Sequence, residues 1–220
     1  VGVNFRGVKN QIGTFYQPKL VFADLELLNT LDPREIRSGV AEVIKYGTVC
    51  SKPLFEFLER NIEKLLALDP TVLIKTVTDS FHIKARVVGK DERDNAGLRM
   101  VLNFGHTVGH AIEMAANCRM THGEAISDGM IAAARIAVEL KTCKLLLHER
   151  LRSLIERAGL PTSMRGQRIS LDRVIKYMAK DKKFSDGKNC FVLPTEIGKW
   201  KAHTGIDQQL ILEVVRDCLK

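Results

Sequence analysis

From Asp32 onward the chain is a run of capped amphipathic segments, and that pattern confines it to a mainly α fold. Asp32-Pro33-Arg34-Glu35 opens the run, with Asp32 as N-cap and Pro33 in the first turn, where its missing N–H costs nothing. The spacing predicts helices near 33–49, 53–66, 70–90, 99–117, 122–140, 146–158 and 171–180, and a closing amphipathic helix from Asp207 to Leu219. Leu54, Phe55, Leu58, Ile62, Leu65 and Leu66 draw the apolar stripe of the second. Ser170 or Asp172 is the expected cap of the helix near 171–180. Two short strands, Asn189–Pro194 and Ile197–Lys201, form a predicted small β-hairpin near 189–201. The first residues differ. Gly2, Gly7, Gly13 and Pro18 punctuate them, Lys19–Asp24 reads as a short buried strand, and Leu25–Leu31 as a short helix or turn. The expectation is a helical body at 32–220 and a strand-containing strip at 1–31.

With 220 residues, 45% of them apolar, the chain can bury a real core as one domain or two. Its net charge of +8 does not point to nucleic acid, because the basic residues are interleaved with 26 acids. One Trp and three Tyr offer few platforms for base stacking. Local Lys and Arg also suit a small anionic substrate. The five cysteines are odd in number and form no Cys-x-x-Cys pair, which reads as reduced thiols. No signal-peptide pattern opens the chain and no 18-residue apolar run occurs, so a cytoplasmic location is expected. The start at Val1 is read as a processed chain or a fragment.

Inside this helical frame sits an unusual polar set. His106 and His110 are four apart and share one helix face, with Asn103 and Arg99 on the preceding turns. Thr121-His122-Gly123-Glu124 adds a third imidazole. Ala41-Glu42-Val43-Ile44-Lys45-Tyr46 adds a carboxylate and a lysine one turn apart in an apolar helix, where charges need partners or a metal. A lone histidine here would be a core residue satisfied by hydrogen bonds. Three histidines and a carboxylate suit a zinc-like divalent ion, and three protein ligands would leave a position open for chemistry. His106 with His110 is the simplest helical pair, and His122 and Glu42 are further candidates. By composition alone, Lys84 and Lys90-Asp91-Glu92-Arg93-Asp94 read as a solvated loop, and Lys180–Lys183 as a solvated run. Gly7 and Gly13 flank Lys9-Asn10-Gln11, a weak signal for approach to a phosphate.

Taken together, these landmarks resemble the 3-dehydroquinate synthase family. They are Lys9-Asn10-x-Ile-Gly13, Phe15-Tyr-Gln-Pro18, Ala41-Glu-Val-Ile-Lys45, Leu102-Asn-Phe-Gly-His106-Thr-x-Gly-His110, His122-Gly-Glu124 and Asp181-Lys-Lys183. The resemblance implies that 32–220 is the helical metal- and substrate-binding domain, and that 1–31 packs with an amino-terminal NAD-binding domain that this chain lacks. It also implies that the chain starts just after a Gly-Gly-Lys motif and so lacks a substrate-binding lysine.

Residue by residue, the resemblance implies Glu42, His106 and His122 as ligands of Zn2+ or Co2+, and His110 as a proton-transfer residue. Asn10, Lys45, Lys84, Arg99, Asn103 and Lys182 would bind substrate, Lys45 also being a catalytic candidate, with Lys183 nearly as good a match as Lys182. Asp94 falls where the family carries an acidic proton acceptor, usually Glu, in a loop one residue longer here. Lys9 and the Leu27–Thr30 stretch, Thr30 included, match positions that contact NAD. The implied reaction converts 3-deoxy-D-arabino-heptulosonate 7-phosphate to 3-dehydroquinate and phosphate, a step of the shikimate pathway. It passes through oxidation by NAD, elimination of phosphate, return of the hydride, ring opening and aldol closure. A homodimer is the implied assembly, and a chain without its NAD domain is expected to be inactive alone. The alternatives are another sugar-phosphate cyclase, such as a 2-deoxy-scyllo-inosose synthase, and a non-catalytic helical module. His110 and the Arg99/Asn103 pair favour the dehydroquinate reading over the former.

Overall fold

A computed structural model describes residues 2–5, 8–14, 16–93, 97–117, 119–164, 169–179 and 189–219, without the side chains of 2, 4, 8–11 and 219. Strands β1 (Gly2–Phe5) and β2 (Val8–Gly13) pair antiparallel, Val3 facing Ile12. The strands of the amino-terminal strip therefore lie at its beginning and not at Lys19–Asp24. That segment is extended, unpaired and exposed, with Leu20 and Phe22 showing 79% and 82% of their surface. Its apolar run fitted a buried strand, but among the described residues no strand pairs with it and no core covers it. Leu25–Thr30 is a 3-10 helix whose first turn is capped by the Asp24 carboxylate.

The body follows as α1 (Pro33–Cys50), α2 (Lys52–Leu66), α3 (Pro70–Lys90), a 3-10 helix (Leu98–Asn103), α4 (His106–Ala115), α5 (His122–Glu139), α6 (Leu145–Arg157) and α7 (Leu171–Ala179). Strands β3 (Cys190–Glu196) and β4 (Lys199–Thr204) and helix α8 (Gln208–Leu219) complete it. Caps set these boundaries as the sequence dictates. Asp32, Ser51 and Asp69 each accept from a first-turn N–H and are each followed within two residues by proline. Thr121 and Glu124 form a reciprocal capping box at the start of α5. The β3–β4 hairpin turns at Ile197-Gly198, and the Gly198 N–H donates to the Thr48 carbonyl at 2.8 Å, tying the tip to α1.

Helix α5 runs through the middle of the core. Ile126, Met130, Ala132, Ala134 and Ile136 are fully buried on it, and the helix packs against α1, α4 and α6. The single helix expected over 99–117 is two elements. Gly105 has φ +77°, a left-handed conformation that a side chain would strain, and it breaks the helix between Asn103 and His106. A Cβ on Gly129 would stand 2.0 Å from the Gly105 carbonyl oxygen, so the two backbones touch. The polar stripe of Arg99, Asn103, His106 and His110 is therefore not one continuous helical face. Only His106 and His110 share one.

Candidate metal centre

Three elements converge on one spot. Glu42 lies in the third turn of α1, His106 is the first residue of α4, and His122 is the first residue of α5. Two clasps fix α1 against the start of α5. The Gly123 N–H donates to Ser38 Oγ at 3.0 Å, and a Cβ on Gly123 would stand 2.2 Å from the Ser38 carbonyl oxygen. Arg34 forks onto Glu124 and also donates to the Arg119 carbonyl. The contact between Gly105 and Gly129 fixes α4 against the same helix.

The donor atoms are oriented by their other hydrogen bonds. His106 Nδ1 lies 3.0 Å from the Phe104 carbonyl oxygen, and His122 Nδ1 lies 3.1 Å from Glu113 Oε2. A carbonyl and an ionised carboxylate only accept, so each Nδ1 carries the proton and donates. Both Nε2 atoms then turn toward Glu42 Oε1, at 3.6 Å from His106 and 3.7 Å from His122. Glu42 Oε1 is buried and has no hydrogen-bond partner among the described residues. The other oxygen of that carboxylate, Oε2, accepts from Lys45 Nζ, which also donates to the Leu102 carbonyl at 2.8 Å.

These spacings suit a shared cation. They exceed the 2.7–3.2 Å of an ordinary N–H···O bond. Ligands bonded at about 2.0–2.1 Å to a tetrahedral zinc stand roughly 3.3 Å apart. Two imidazole nitrogens and a carboxylate oxygen are donor types that a catalytic zinc uses. His110 adjoins it, with ring centroids 5.0 Å from His106 and 5.7 Å from His122. His106, His110 and His122 also bring ligand atoms within 4.8 Å of one another.

The electrostatics follow. Burial pushes His106 down to about 3, with Lys45 helping, so it is neutral and ready to ligate. Burial alone would raise Glu42, but the His122 ring and the Lys45 ammonium outweigh it and hold the carboxyl at about 2. Glu113 and then Glu42 raise His122 to about 9, against the opposing effect of burial.

The structure brings together Glu42, Lys45, His106, His110 and His122. Lys45 is 3% exposed and already engaged by Glu42 and Leu102. Arg99 donates to the Glu92 carbonyl, Asn103 ends its 3-10 helix beside a small gap lined by Gly105 and Gly129, and Lys84 is exposed on α3. Thr30 donates to the Leu27 carbonyl on the exposed strip. Asp94, Lys182 and Lys183 lie outside the described residues, as do the side chains of Lys9 and Asn10. Asp91 is no part of a solvated loop. It is 5% exposed, and its carboxylate accepts from the Leu98 and Arg99 N–H groups. Glu113 was not among the candidates, although it continues the His106–His110 face three residues on, which was the available signal.

Residues 39–184 match the 3-dehydroquinate synthase C-terminal family model. The chain belongs to the 3-dehydroquinate synthase family. Residues 1–38 match the model described as 3-dehydroquinate synthase N-terminal. The chain is 42% identical over 216 residues to the 3-dehydroquinate synthase of Acetivibrio thermocellus, covering 98% of this chain and 59% of that protein. It is 46% identical over 200 residues to that of a Nostoc species, covering 90% and 54%. It therefore spans between half and three-fifths of the curated relatives it matches.

Solved structures of this fold include the 2-epi-5-epi-valiolone synthase ValA of Streptomyces hygroscopicus with NAD+ and Zn2+ bound. Its TM-score is 0.88 at 26% identity, over 99% of this chain and 60% of that one. A 2-deoxy-scyllo-inosose synthase complexed with carbaglucose-6-phosphate, NAD+ and Co2+ gives a TM-score of 0.87 at 28% identity, over 98% and 61%. Among the described residues no helix is long and apolar enough to cross a membrane.

Proposed function

We propose that this chain is the metal- and substrate-binding portion of a 3-dehydroquinate synthase, acting on 3-deoxy-D-arabino-heptulosonate 7-phosphate with NAD and Zn2+ or Co2+. The observation that carries this reading is the convergence of His106 Nε2 and His122 Nε2 on Glu42 Oε1, which has no hydrogen-bond partner among the described residues. Glu42, His106 and His122 hold the ion. When bound, the ion supplies Lewis acidity to a substrate hydroxyl, and NAD supplies the two-electron acceptor. Lys45 holds Glu42 Oε2 so that Oε1 alone faces the histidines. His110, beside both ligand rings, moves protons between substrate oxygens and the site. Lys84, Arg99, Asn103, Asn10 and Lys182 anchor the phosphate, carboxylate and hydroxyls, Asp94 accepts a proton, and Lys9 and Thr30 contact NAD. Identities of 42% and 46% to curated 3-dehydroquinate synthases favour this substrate over that of the inosose synthase, at 28%.

The chain spans 59% of the Acetivibrio thermocellus protein, so the 220-residue chain assayed by itself is expected not to turn over. The test joins it to the amino-terminal portion of the Acetivibrio thermocellus protein that it does not match. Phosphate release from the heptulosonate phosphate, dependent on NAD and a divalent metal, is expected from the joined protein and not from the chain alone. Turnover of a hexose phosphate in its place would favour the inosose-synthase reading. Metal analysis tests the ligand set: His122→Ala loses the ion and His110→Ala keeps it. Equal loss in both would overturn that assignment.

A further inference from the structure

The two ligand histidines are held in different ways. His106 sits in the core with 10% of its side chain exposed, and its Nδ1–H goes to a main-chain carbonyl that cannot move away. The His122 side chain is 39% exposed. Like His106 it opens its helix, so no preceding helical turn clamps either ring. The capping box fixes its backbone, but a box made by Thr121 and Glu124 does nothing for the imidazole. Its ring is held at Nδ1 by the Glu113 carboxylate, 3.1 Å away on α4. The Glu113 side chain is only 16% exposed, so it is itself constrained.

Resting on the metal-site reading above, we propose that Glu113 is a positioning residue for the metal, acting through His122. A neutral imidazole has two tautomers, and one of them puts the proton on Nε2, the atom that must ligate. The Glu113 carboxylate can only accept, so it selects the tautomer with Nδ1–H and leaves the Nε2 lone pair toward Glu42. The same bond fixes the ring plane, and its negative charge increases the donor strength of Nε2. A carboxylate behind a metal-bound histidine performs these tasks in metal sites generally. His106 needs no such residue, because the Phe104 carbonyl already selects its tautomer. The asymmetry makes a specific claim: removing one carboxylate from α4 weakens a site to which it contributes no ligand.

The experiment titrates the 220-residue chain with Co2+ and follows the visible absorption of the bound ion. Parent, Glu113→Gln and Glu113→Ala are compared, with the melting temperature of each metal-free protein measured alongside. Gln keeps the size of Glu and loses its charge, so it keeps the variant folded if Ala does not. Affinities are taken from titrations at several pH values so that competition by the His122 proton is removed, and the expected result is pH-independent Co2+ affinity lower by about 10- to 100-fold in Glu113→Gln with an altered absorption band. A parent chain that binds no Co2+ would sink the metal-site reading, and this inference with it. A parent that binds, beside a Glu113→Gln chain with the same affinity and spectrum, would overturn the role of Glu113 alone. A lowered melting temperature with unchanged affinity and spectrum would do so too, because it marks a merely structural contact.

Discussion

The Arg34 guanidinium grips the Glu124 carboxylate through two parallel hydrogen bonds, Nε to Oε1 at 2.7 Å and Nη2 to Oε2 at 2.6 Å. The same carboxylate accepts the Thr121 N–H at 2.8 Å, so Arg34 of α1 is joined to the capping box that starts α5. Glu42 lies two turns beyond Arg34, and His122 lies one residue after Thr121. The fork therefore sets the separation of two proposed ligands without touching either. Arg34→Ala is expected to weaken Co2+ binding roughly 10-fold while leaving helical content unchanged. Arg34→Lys recovers only part, because a point charge cannot make the paired bonds. Metal titration with a far-UV spectrum checks this, and unchanged affinity in Arg34→Ala would show that the Ser38–Gly123 clasp suffices.

Metal binding should release a proton. In the metal-free chain His122 titrates near 9, with Glu113 and then Glu42 holding its proton. His106 is pushed to about 3 and Glu42 to about 2, so neither has a proton to lose at neutral pH. The ion needs the His122 Nε2 lone pair and displaces that proton. Affinity should rise about 10-fold per pH unit between pH 6.5 and 9, then level off. The metal-free fold should show the opposite sign. The His122 pKa is raised above its unfolded value, so its stabilisation is present below about pH 6.5 and lost as pH rises through about 9. Calorimetric titrations in buffers of different ionisation enthalpy should count about one proton released at pH 7.5. A count of zero would mean that His122 is not a ligand.

Gly129→Ala pits two effects against each other. Alanine in a helix interior gains about 1 kcal/mol over glycine. Here the new Cβ would stand 2.0 Å from the Gly105 carbonyl oxygen and 2.7 Å from the Gly109 nitrogen, both main-chain atoms. Overpacking of that kind costs typically 1–3 kcal/mol or more, so the loss wins. Because Gly105 precedes His106, the shift also moves one proposed ligand away from another. Urea denaturation should show a lower midpoint, and Co2+ titration a weaker site, in the same variant.

Local rules carried most of the fold. Asp32-Pro33, Asp69-Pro70 and Thr121-x-x-Glu124 mark helix starts through bonds within a few residues, and those starts stand where the pattern put them. What sequence spacing hid is tertiary. The apolar period continues through Phe104-Gly105, and only the contact with Gly129 shows why the helix breaks there. Asp91 resembles its charged neighbours until the chain folds back and offers it the Leu98 and Arg99 N–H groups. Of the candidate site, the histidines and Glu42 were visible as polar residues in apolar helices. Glu113 shares the His106–His110 face, but that spacing gives it no role until His122 is seen beside it.

Asp128 gives the last prediction. It lies in the core on α5 with no exposed surface, and neither carboxylate oxygen has a hydrogen-bond partner among the described residues. Burial, with a smaller contribution from the Glu124 charge, pushes its pKa up to about 8. The carboxyl is therefore neutral in the folded chain near pH 7 but ionised in the unfolded one. The sign follows: the unfolded state loses its proton first, so stability falls as pH rises from about 4 to about 8. Each unit of that interval costs about 1.4 kcal/mol as an upper bound. Asp128→Asn keeps the size and removes the titration. Urea denaturation of the metal-free proteins should find the variant more stable than the parent at pH 8, with the difference gone or reversed by pH 5. A difference that does not change with pH would mean that Asp128 is ionised in both states, held by a partner that compensates its charge.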